Sequence, residues 1–441
     1  MRGEQAPIRS FLDRAPKRLA TAINIIKQEG WQALLRVAVN RFLLPGVSKI
    51  TKPLWFSKLR AAIDNSPADR PPVLILATCD YRFPYRQRCQ HLAKAIASLG
   101  HVVVYGSPLT GYDSVLGFWS ASERLIVVNY RTRWQDLLPG NAIVLVMSTD
   151  NQLGTNFLPE AQAQQWKIIY DYIDEIDPRI SLGPISENHL MAHSDLLKEE
   201  SVLVVCVAPN LMREARTYRT KNLALVPNGV DCAHYKTVRN YSVLPQEMRA
   251  IVDLAKPIVG YFGALACWLD FDLVSSVARA RRDFSFVLIG PDFDGSLAKW
   301  RRENRALPEN LFILPPFPYH TLPNLAVWFD VGMIPFVVNK ITAATSPLKL
   351  YEYFALQIPV VSSPLPDCER YADVVAVADG SENFAQAVDS AVARSSNTDI
   401  RQRLSSYAAR SDWQSRASEI LKLSTGLKTE LCRTVADRDA T

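Results

Sequence analysis

Apolar residues early in the chain recur at helical spacing. Trp31, Leu34, Leu35, Ala38 and Phe42 fall at i, i+3, i+4, i+7 and i+11, which is one face of a helix. A Pro-rich polar run, residues 65–72, ends this part. From Val73 the text changes to short, continuously apolar runs separated by helical patterns. The pattern predicts strands over 73–77, 102–105, 125–128, 143–147, 167–170 and 202–207, and a helix over 86–99 stopped by Gly100. Strands that are apolar on both faces belong in a parallel sheet covered by helices on both sides. The pattern restarts at Pro257, with strands over 258–262, 284–289, 311–314, 331–335 and 359–362, and helices over 271–281, 382–394 and 399–425. The expected architecture is therefore α/β: two doubly wound domains facing a cleft, with a basic helical N-terminal extension. The expected boundaries are 1–72 for the extension and linker, 73–240 and 257–395 for the two domains, and 396–441 for a closing helix and polar tail.

Composition sharpens this picture in two places. The 441 residues are 48% hydrophobic, a globular proportion that excludes wholesale disorder and suits two to three domains. The net charge of +6 is uneven. Residues 1–60 hold twelve Lys/Arg against three Asp/Glu, a local +9, so the rest of the chain is net −3. A nucleic-acid partner for the whole protein is thus excluded, while an anionic membrane surface facing residues 1–60 remains an expectation. The alternative for those residues is a helical hairpin packed on the protein's own surface. The seven cysteines are scattered, with no CxxC pair, and read as reduced cytosolic thiols. No run approaches a transmembrane span, and Arg9, Asp13, Arg14, Lys17 and Arg18 interrupt any signal-peptide core. The expected location is cytoplasmic, peripheral on the inner face of the membrane.

The segment richest in chemistry is TSPLKLYEYFALQIPVVSS, 345–363. Ser346 reads as an N-cap and Pro347 as the first helical residue. Lys349 then stands in the first turn, where the helix dipole disfavours a cation unless an anion is also bound. Free backbone N–H groups, the dipole and Lys349 together suit a phosphate or diphosphate. Glu352, on the same face, suits ribose hydroxyls. An ordinary amphipathic helix with a surface Lys–Glu pair is the other reading. Neither GxGxxG nor GxxxxGK[ST] occurs, which speaks against a nicotinamide enzyme and a P-loop NTPase.

Six segments in order resemble GT-B glycosyltransferases, similar to family 4 and its teichuronic-acid-type bacterial relatives. They are ASLGHVVVYGS (97–107), LVPNGVDCAHY (225–235), GYFGALACWLDFDLV (260–274), FVLIGP (286–291), LFILPPFPYHTLPNLAVWFDVGMIPF (311–336) and SPLKLYEYFALQIPVVSS (346–363). The resemblance covers most of 73–425. It implies two Rossmann-like domains, acceptor first and donor second. It also implies transfer of a sugar from a UDP- or GDP-linked donor to a saccharide or lipid-linked acceptor in cell-surface polysaccharide or glycolipid synthesis. No resident cofactor is implied; the nucleotide sugar is substrate. Glu352 matches the glutamate that binds the donor ribose. Lys349 matches a lysine near the donor diphosphate, and Gly263 the glycine of the loop approaching the donor phosphates or sugar. Residues 315–319 match the segment framing the base. Ser346 and Pro347 complete the donor helix start, and Trp268 stands on the donor side where many members begin a basic pair. A second family glutamate is replaced by Ala344, so stereochemistry is not assigned.

On the acceptor side, IIYDYIDEID (168–177) leaves a strand for a loop at the expected cleft edge. Asp171 and Asp174, with Glu175 behind them, are candidate bases for an inverting transfer; in a retaining transfer Asp171 would orient the acceptor. The bland reading is that these acids cap the loop. Arg86 and Arg88 open the first helix of this domain and suit an anionic acceptor such as a lipid-linked diphosphate sugar, or else pair with surface acids. Two DxD matches, Asp270/Asp272 and Asp292/Asp294, read as helix cap and turn rather than metal ligands. His189 and His193 lack the adjacent Glu of HExxH, so no metal site is expected. Two other functions fit the same fold: a sugar-nucleotide 2-epimerase, and a catalytically silent donor-binding partner of another transferase.

Overall fold

The computed structural model describes residues 38–39, 44–129, 136–147, 149, 157–180, 184–304 and 306–426. Apart from Ala38, the helical face read over residues 31–42 lies outside them, as does the polar tail. The described chain divides into two compact units. One takes in residues up to Phe83 with Gly100–Ser148 and Leu158–Trp166. The other takes in Pro84–Leu99, Thr149–Phe157 and everything from Lys167 onward.

The first unit contains helix α1 (Leu44–Asp64), strand β1 (Val73–Leu76), helix α2 of the second unit being inserted after it (Arg88–Ser98), then β2 (Val103–Ser107), β3 (Phe118–Ser122), β4 (Leu125–Asn129), β5 (Ile143–Val146) and α3 (Phe157–Ala163). Its strand order is β3-β4-β2-β1-β5, all parallel except β3. Every residue of β1, β2, β4 and β5 is buried, which is why those strands read as unbroken apolar runs. Antiparallel β3, FWSAS, is half exposed and gives no such run.

The second unit continues with β6 (Lys167–Tyr172), α4 (Glu187–Lys198), β7 (Leu203–Cys206), α5 (Pro209–Ala215), β8 (Leu223–Leu225) and α6 (Gln246–Val252). Strands β6, β7 and β8 pair in parallel, in that order. A six-stranded parallel sheet follows: β9 (Ile258–Phe262), α7 (Phe271–Ala280), β10 (Ser285–Ile289), α8 (Ser296–Glu303), β11 (Leu311–Leu314), α9 (Leu322–Ala326), β12 (Val331–Ile334), α10 (Lys340–Ala343), α11 (Leu348–Ala355), β13 (Val360–Ser362), α12 (Pro366–Glu369) and β14 (Val375–Val377). Helices α13 (Ser381–Arg394), α14 (Thr398–Arg410) and α15 (Trp413–Thr425) close the unit. The region 399–425, expected as one helix, is two, because Asp412 turns the chain and caps α15 by accepting from Gln414 N–H.

The sheet order is β11-β10-β9-β12-β13-β14. The chain therefore winds outward from β9 through β10 and β11, then returns to start again at β12 beside β9. That reversal is the topological switch point, and ligands of open α/β sheets bind outside the carboxyl ends of the strands there. A core of large apolar side chains, including Phe262, Phe286, Phe329, Tyr353 and Phe354, holds the sheet to its helices.

Candidate active site

Two loops leave the switch point. Strand β9 ends at Gly263, φ +145°, and β10 ends at Gly290, φ +154°; both angles favour glycine. A Cβ on Gly290 would lie 1.7 Å from the Gly263 carbonyl oxygen, and a Cβ on Gly263 would lie 2.9 Å from Lys349 Cε. The loop after Gly263 is fastened by backbone bonds: Leu265 N–H to the Pro291 carbonyl (2.8 Å), Asp270 N–H to Pro335 (2.8 Å) and Val337 N–H to Trp268 (2.9 Å). Trp268 packs its ring 5.9 Å from Phe293.

Helix α11 starts at Leu348, with Pro347 as its N-cap rather than its first residue. Its first backbone N–H groups lack acceptors within the helix. The side chain of Lys349 crosses the Phe262 ring, with Nζ 4.5 Å from the centroid, and donates to Glu352 Oε2 at 2.5 Å. Glu352 is buried, 4% exposed. Its charge reaches the phenols of Tyr235 and Tyr319, whose pKa values burial raises first and Glu352 raises further. Tyr319 stacks on His234 with centroids 4.1 Å apart and planes 5° apart. Glycine loop, lysine, glutamate and aromatic wall thus surround one helix start.

Ser346 does not cap α11 and does not face this site. It is 2% exposed, donates its hydroxyl to Asp367 Oδ2 (2.6 Å) and accepts from Asn228 N–H (3.1 Å). The correction has a simple cause: a buried carboxylate behind the helix competes for the hydroxyl and wins it.

At the end of β6 the two candidate carboxylates differ sharply. Asp171 is fully buried and held by both arms of Arg88: Nε to Oδ2 at 2.7 Å and Nη2 to Oδ1 at 3.0 Å. Burial pushes its carboxyl up and Arg88 pulls it back. Arg88 is itself 4% exposed and spends its remaining arm on the Pro227 carbonyl (2.9 Å) and Asn228 Oδ1 (3.3 Å). Contrary to expectation, it presents no face to an acceptor. Arg86 is half-buried, and its charge is felt by His91 and Tyr319. Asp174 is partly accessible and has no hydrogen-bond or ion-pair partner among the described residues; burial pushes its carboxyl up to about 7. Next to it, Glu175 accepts from Lys340 at 2.5 Å, and Arg179 donates to Asp177, whose carboxyl that bond lowers to about 2.

The DxD acids are all engaged locally. Asp270 caps α7 through Leu273 N–H, Asp272 accepts from Trp300 Nε1, Asp292 from Leu297 and Ala298 N–H, and Asp294 from Cys267 and Ser296 N–H. His193 accepts or donates at Nδ1 with the Tyr170 hydroxyl (2.7 Å). No group of three metal-ligating side chains forms among the described residues. The sequence reading missed Asn228, Tyr235, Lys340 and Asp367. Asn228 and Tyr235 stand inside the quoted LVPNGVDCAHY; Asp367 carries no local signal.

No family model matches the chain. A stretch of 175 residues, 39% of the chain, is 25% identical to the Bacillus subtilis (strain 168) protein TuaH, named provisionally as a teichuronic acid biosynthesis glycosyltransferase. The match spans 43% of that relative's length. Among solved structures, sucrose-phosphate synthase from Thermosynechococcus elongatus superposes with a TM-score of 0.60 at 14% identity, covering 81% of this chain and 99% of that one. Anabaena HepE in complex with UDP gives 0.54 at 14%, covering 80% and 98%. A glycosyltransferase from Rickettsia africae gives 0.58 at 12%, covering 82% and 100%. The fold is the GT-B fold of glycosyltransferases.

Proposed function

We propose that the protein is a glycosyltransferase that moves a sugar from a nucleotide-diphosphate sugar to a saccharide or lipid-linked saccharide, within cell-surface polysaccharide or glycolipid synthesis. The observation that carries this reading is the pairing of Lys349 and Glu352 on the first turns of α11, beside Gly263 at the switch point. In the proposed complex the donor diphosphate lies against the α11 N-terminus and draws Lys349 Nζ from Glu352. Positive charge there stabilises the nucleoside diphosphate as it leaves. Glu352, released from the lysine, accepts from the ribose hydroxyls, and Tyr319 with His234 walls the base. Gly263 lets the backbone come close to the phosphates. Pro347 and Trp268 shape the rim of the same pocket.

For the acceptor, Asp174 is the better base of the two carboxylates, because Asp171 has both oxygens on Arg88. A carboxyl ionising near neutrality, free of partners among the described residues, suits removal of a hydroxyl proton. Anabaena HepE has been solved with UDP and with UDP-glucose, which favours a uridine donor over a guanosine one. The name of TuaH favours a polysaccharide acceptor.

A peripheral position on the cytoplasmic membrane face belongs to the same proposal. Residues 1–60 are strongly basic, and α1 turns Ile50 (81% exposed) and Leu54 (74% exposed) outward one turn apart. No helix among the described residues is long and apolar enough to cross a membrane.

Calorimetric titration of UDP and GDP tests the donor site. The expected result is tight binding of one nucleotide, weakened at least about tenfold, some 1.4 kcal/mol, by Lys349→Ala and by Glu352→Ala. No binding of either nucleotide to folded wild type would remove the proposal. Incubation with UDP-sugar alone separates transfer from epimerisation: an epimerised UDP-sugar without acceptor would favour the epimerase.

A further inference from the structure

We propose that Asn228 is a positioning residue that fixes the start of α11 against the end of β6. It rests on the reading of α11 as the donor helix and of Asp174 as the base. All four polar atoms of Asn228 are committed. Its N–H donates to Ser346 Oγ (3.1 Å) and its Nδ2 to the Ser346 carbonyl (2.6 Å). Its Oδ1 accepts from Arg88 Nη1 (3.3 Å), and its carbonyl from Arg416 Nε (3.3 Å). The side-chain amide presents a donor to a carbonyl and an acceptor to a guanidinium from two separate atoms.

The thread continues in both directions. Towards β6, Arg88 grips Asp171, three residues before Asp174. Towards α11, Ser346 stands three residues before Lys349 and donates to Asp367, whose Oδ2 also takes the Tyr351 hydroxyl (2.9 Å) and whose Oδ1 takes Arg370 (2.9 Å). Arg88, Asp171, Ser346 and Asp367 are each at most 4% exposed. The loop of Asn228 packs closely on the chain before α15, where a Cβ on Gly229 would lie 2.4 Å from the Ser411 carbonyl oxygen. Asn228 itself is half-buried, and a largely buried polar thread whose members are satisfied is rigid and specifies one arrangement. Here that arrangement is the spacing between the proposed base and the proposed diphosphate site.

The substitution Asn228→Asp tests this, because it keeps the acceptor facing Arg88 and sets a carboxylate against the Ser346 carbonyl. Hydrogen exchange read by mass spectrometry reports peptides spanning 168–178 and 344–356. We expect faster exchange in both segments. Turnover of UDP-glucose to UDP should fall roughly 10- to 100-fold per folded molecule, as for a misplaced reacting group. The Kd for UDP should change by less than about threefold, about 0.65 kcal/mol. Asn222→Asp, which loses a 2.7 Å bond to the Glu200 carbonyl away from the site, should leave all three readings unchanged. Asn228→Ser gives the same readings where Asn228→Asp does not fold. Faster exchange in only one segment, or unchanged turnover, overturns the proposal. If wild type neither binds UDP nor consumes UDP-glucose, uridine-sugar transfer falls, while the exchange result still decides whether Asn228 joins the two segments.

Discussion

A carboxyl without a partner among the described residues, pushed up by burial to about 7, gives Asp174 two opposite pH dependences. In the unfolded chain the group ionises near 3.8, so between about 4 and 7 the folded state holds a proton that the unfolded state has lost. Its contribution to stability therefore declines as pH rises through that window. Activity, if Asp174 is the base, rises through the same window. Asp174→Asn should raise stability by on the order of 1 kcal/mol at pH 8 and by less at pH 5, and should abolish turnover with its limb near pH 7. Chemical denaturation at the two pH values and a pH–rate profile check this; equal stabilisation at both would refute it. His91 acts with the reverse sign. Burial holds its imidazole down at about 3, where it stacks on Trp413 at 5.0 Å. Below about 6.5 the unfolded chain gains a proton that the folded chain refuses, so His91 contributes to acid unfolding. None of these burial effects is legible in a sequence, which shows the carboxyl and the imidazole but not what surrounds them. Lys349 and Glu352 were legible as a pair, because a cation in a first helical turn is anomalous by itself.

Glycine positions carry the next prediction. Gly263→Ala places a methyl against Lys349 and Tyr261. The lysine end can move but φ +145° stays strained, so the expected outcome is a folded protein destabilised by about 1–3 kcal/mol, with nucleotide affinity lowered about tenfold in a titration. Gly290→Ala meets backbone instead, at 1.7 Å and φ +154°. It should cost about 3 kcal/mol or more, measured as a shift in the urea midpoint.

At the scale of elements, hydrophobic pattern located strands well wherever both faces are buried. The expected spans for β9 and β11 coincide with the observed ones. It failed at β3, which is half exposed, and at three-residue β8 and β14, and it ran α14 and α15 together because apolar spacing continues across the Asp412 break. Helix α11 was placed correctly but its cap was not, since the partner of Ser346 comes from α12, 21 residues on. That partner, Asp367, joins Ser346, Tyr351 and Arg370 at one buried point. Asp367→Ala leaves the arginine charge uncompensated and should destabilise by about 3–5 kcal/mol in chemical denaturation. A loss below about 1 kcal/mol would show that α11 does not depend on this anchor.

For the whole molecule, charge is divided along the chain. The basic first sixty residues contrast with a net-negative remainder. Flotation with vesicles containing anionic lipid should recover the full chain, and recovery should fall several-fold on Ile50→Asp/Leu54→Asp and in high salt. Binding that survives both changes would remove α1 from any membrane role. Two doubly wound parts were legible from the order of the apolar runs, and the GT-B assignment from the resemblance of the segments between 97 and 363. The grouping of α2 with the second unit was not, because it depends on contacts made hundreds of residues away.

Those contacts fix an order of events during synthesis. Helix α2 packs against α15, and Gln414 Nε2 donates to Ser98 Oγ across 316 residues of chain. Trp413 supplies both the stacking partner of His91 and a ring face 5.8 Å from the Arg88 guanidinium. While the ribosome is still translating α14, α2 lacks its cover, and the arginine that grips Asp171 has one wall missing. The end of β6 thus gains its full set of walls only after the last described helix has emerged, so a stalled or clipped product ending before Trp413 would leave Arg88 and His91 without their aromatic cover.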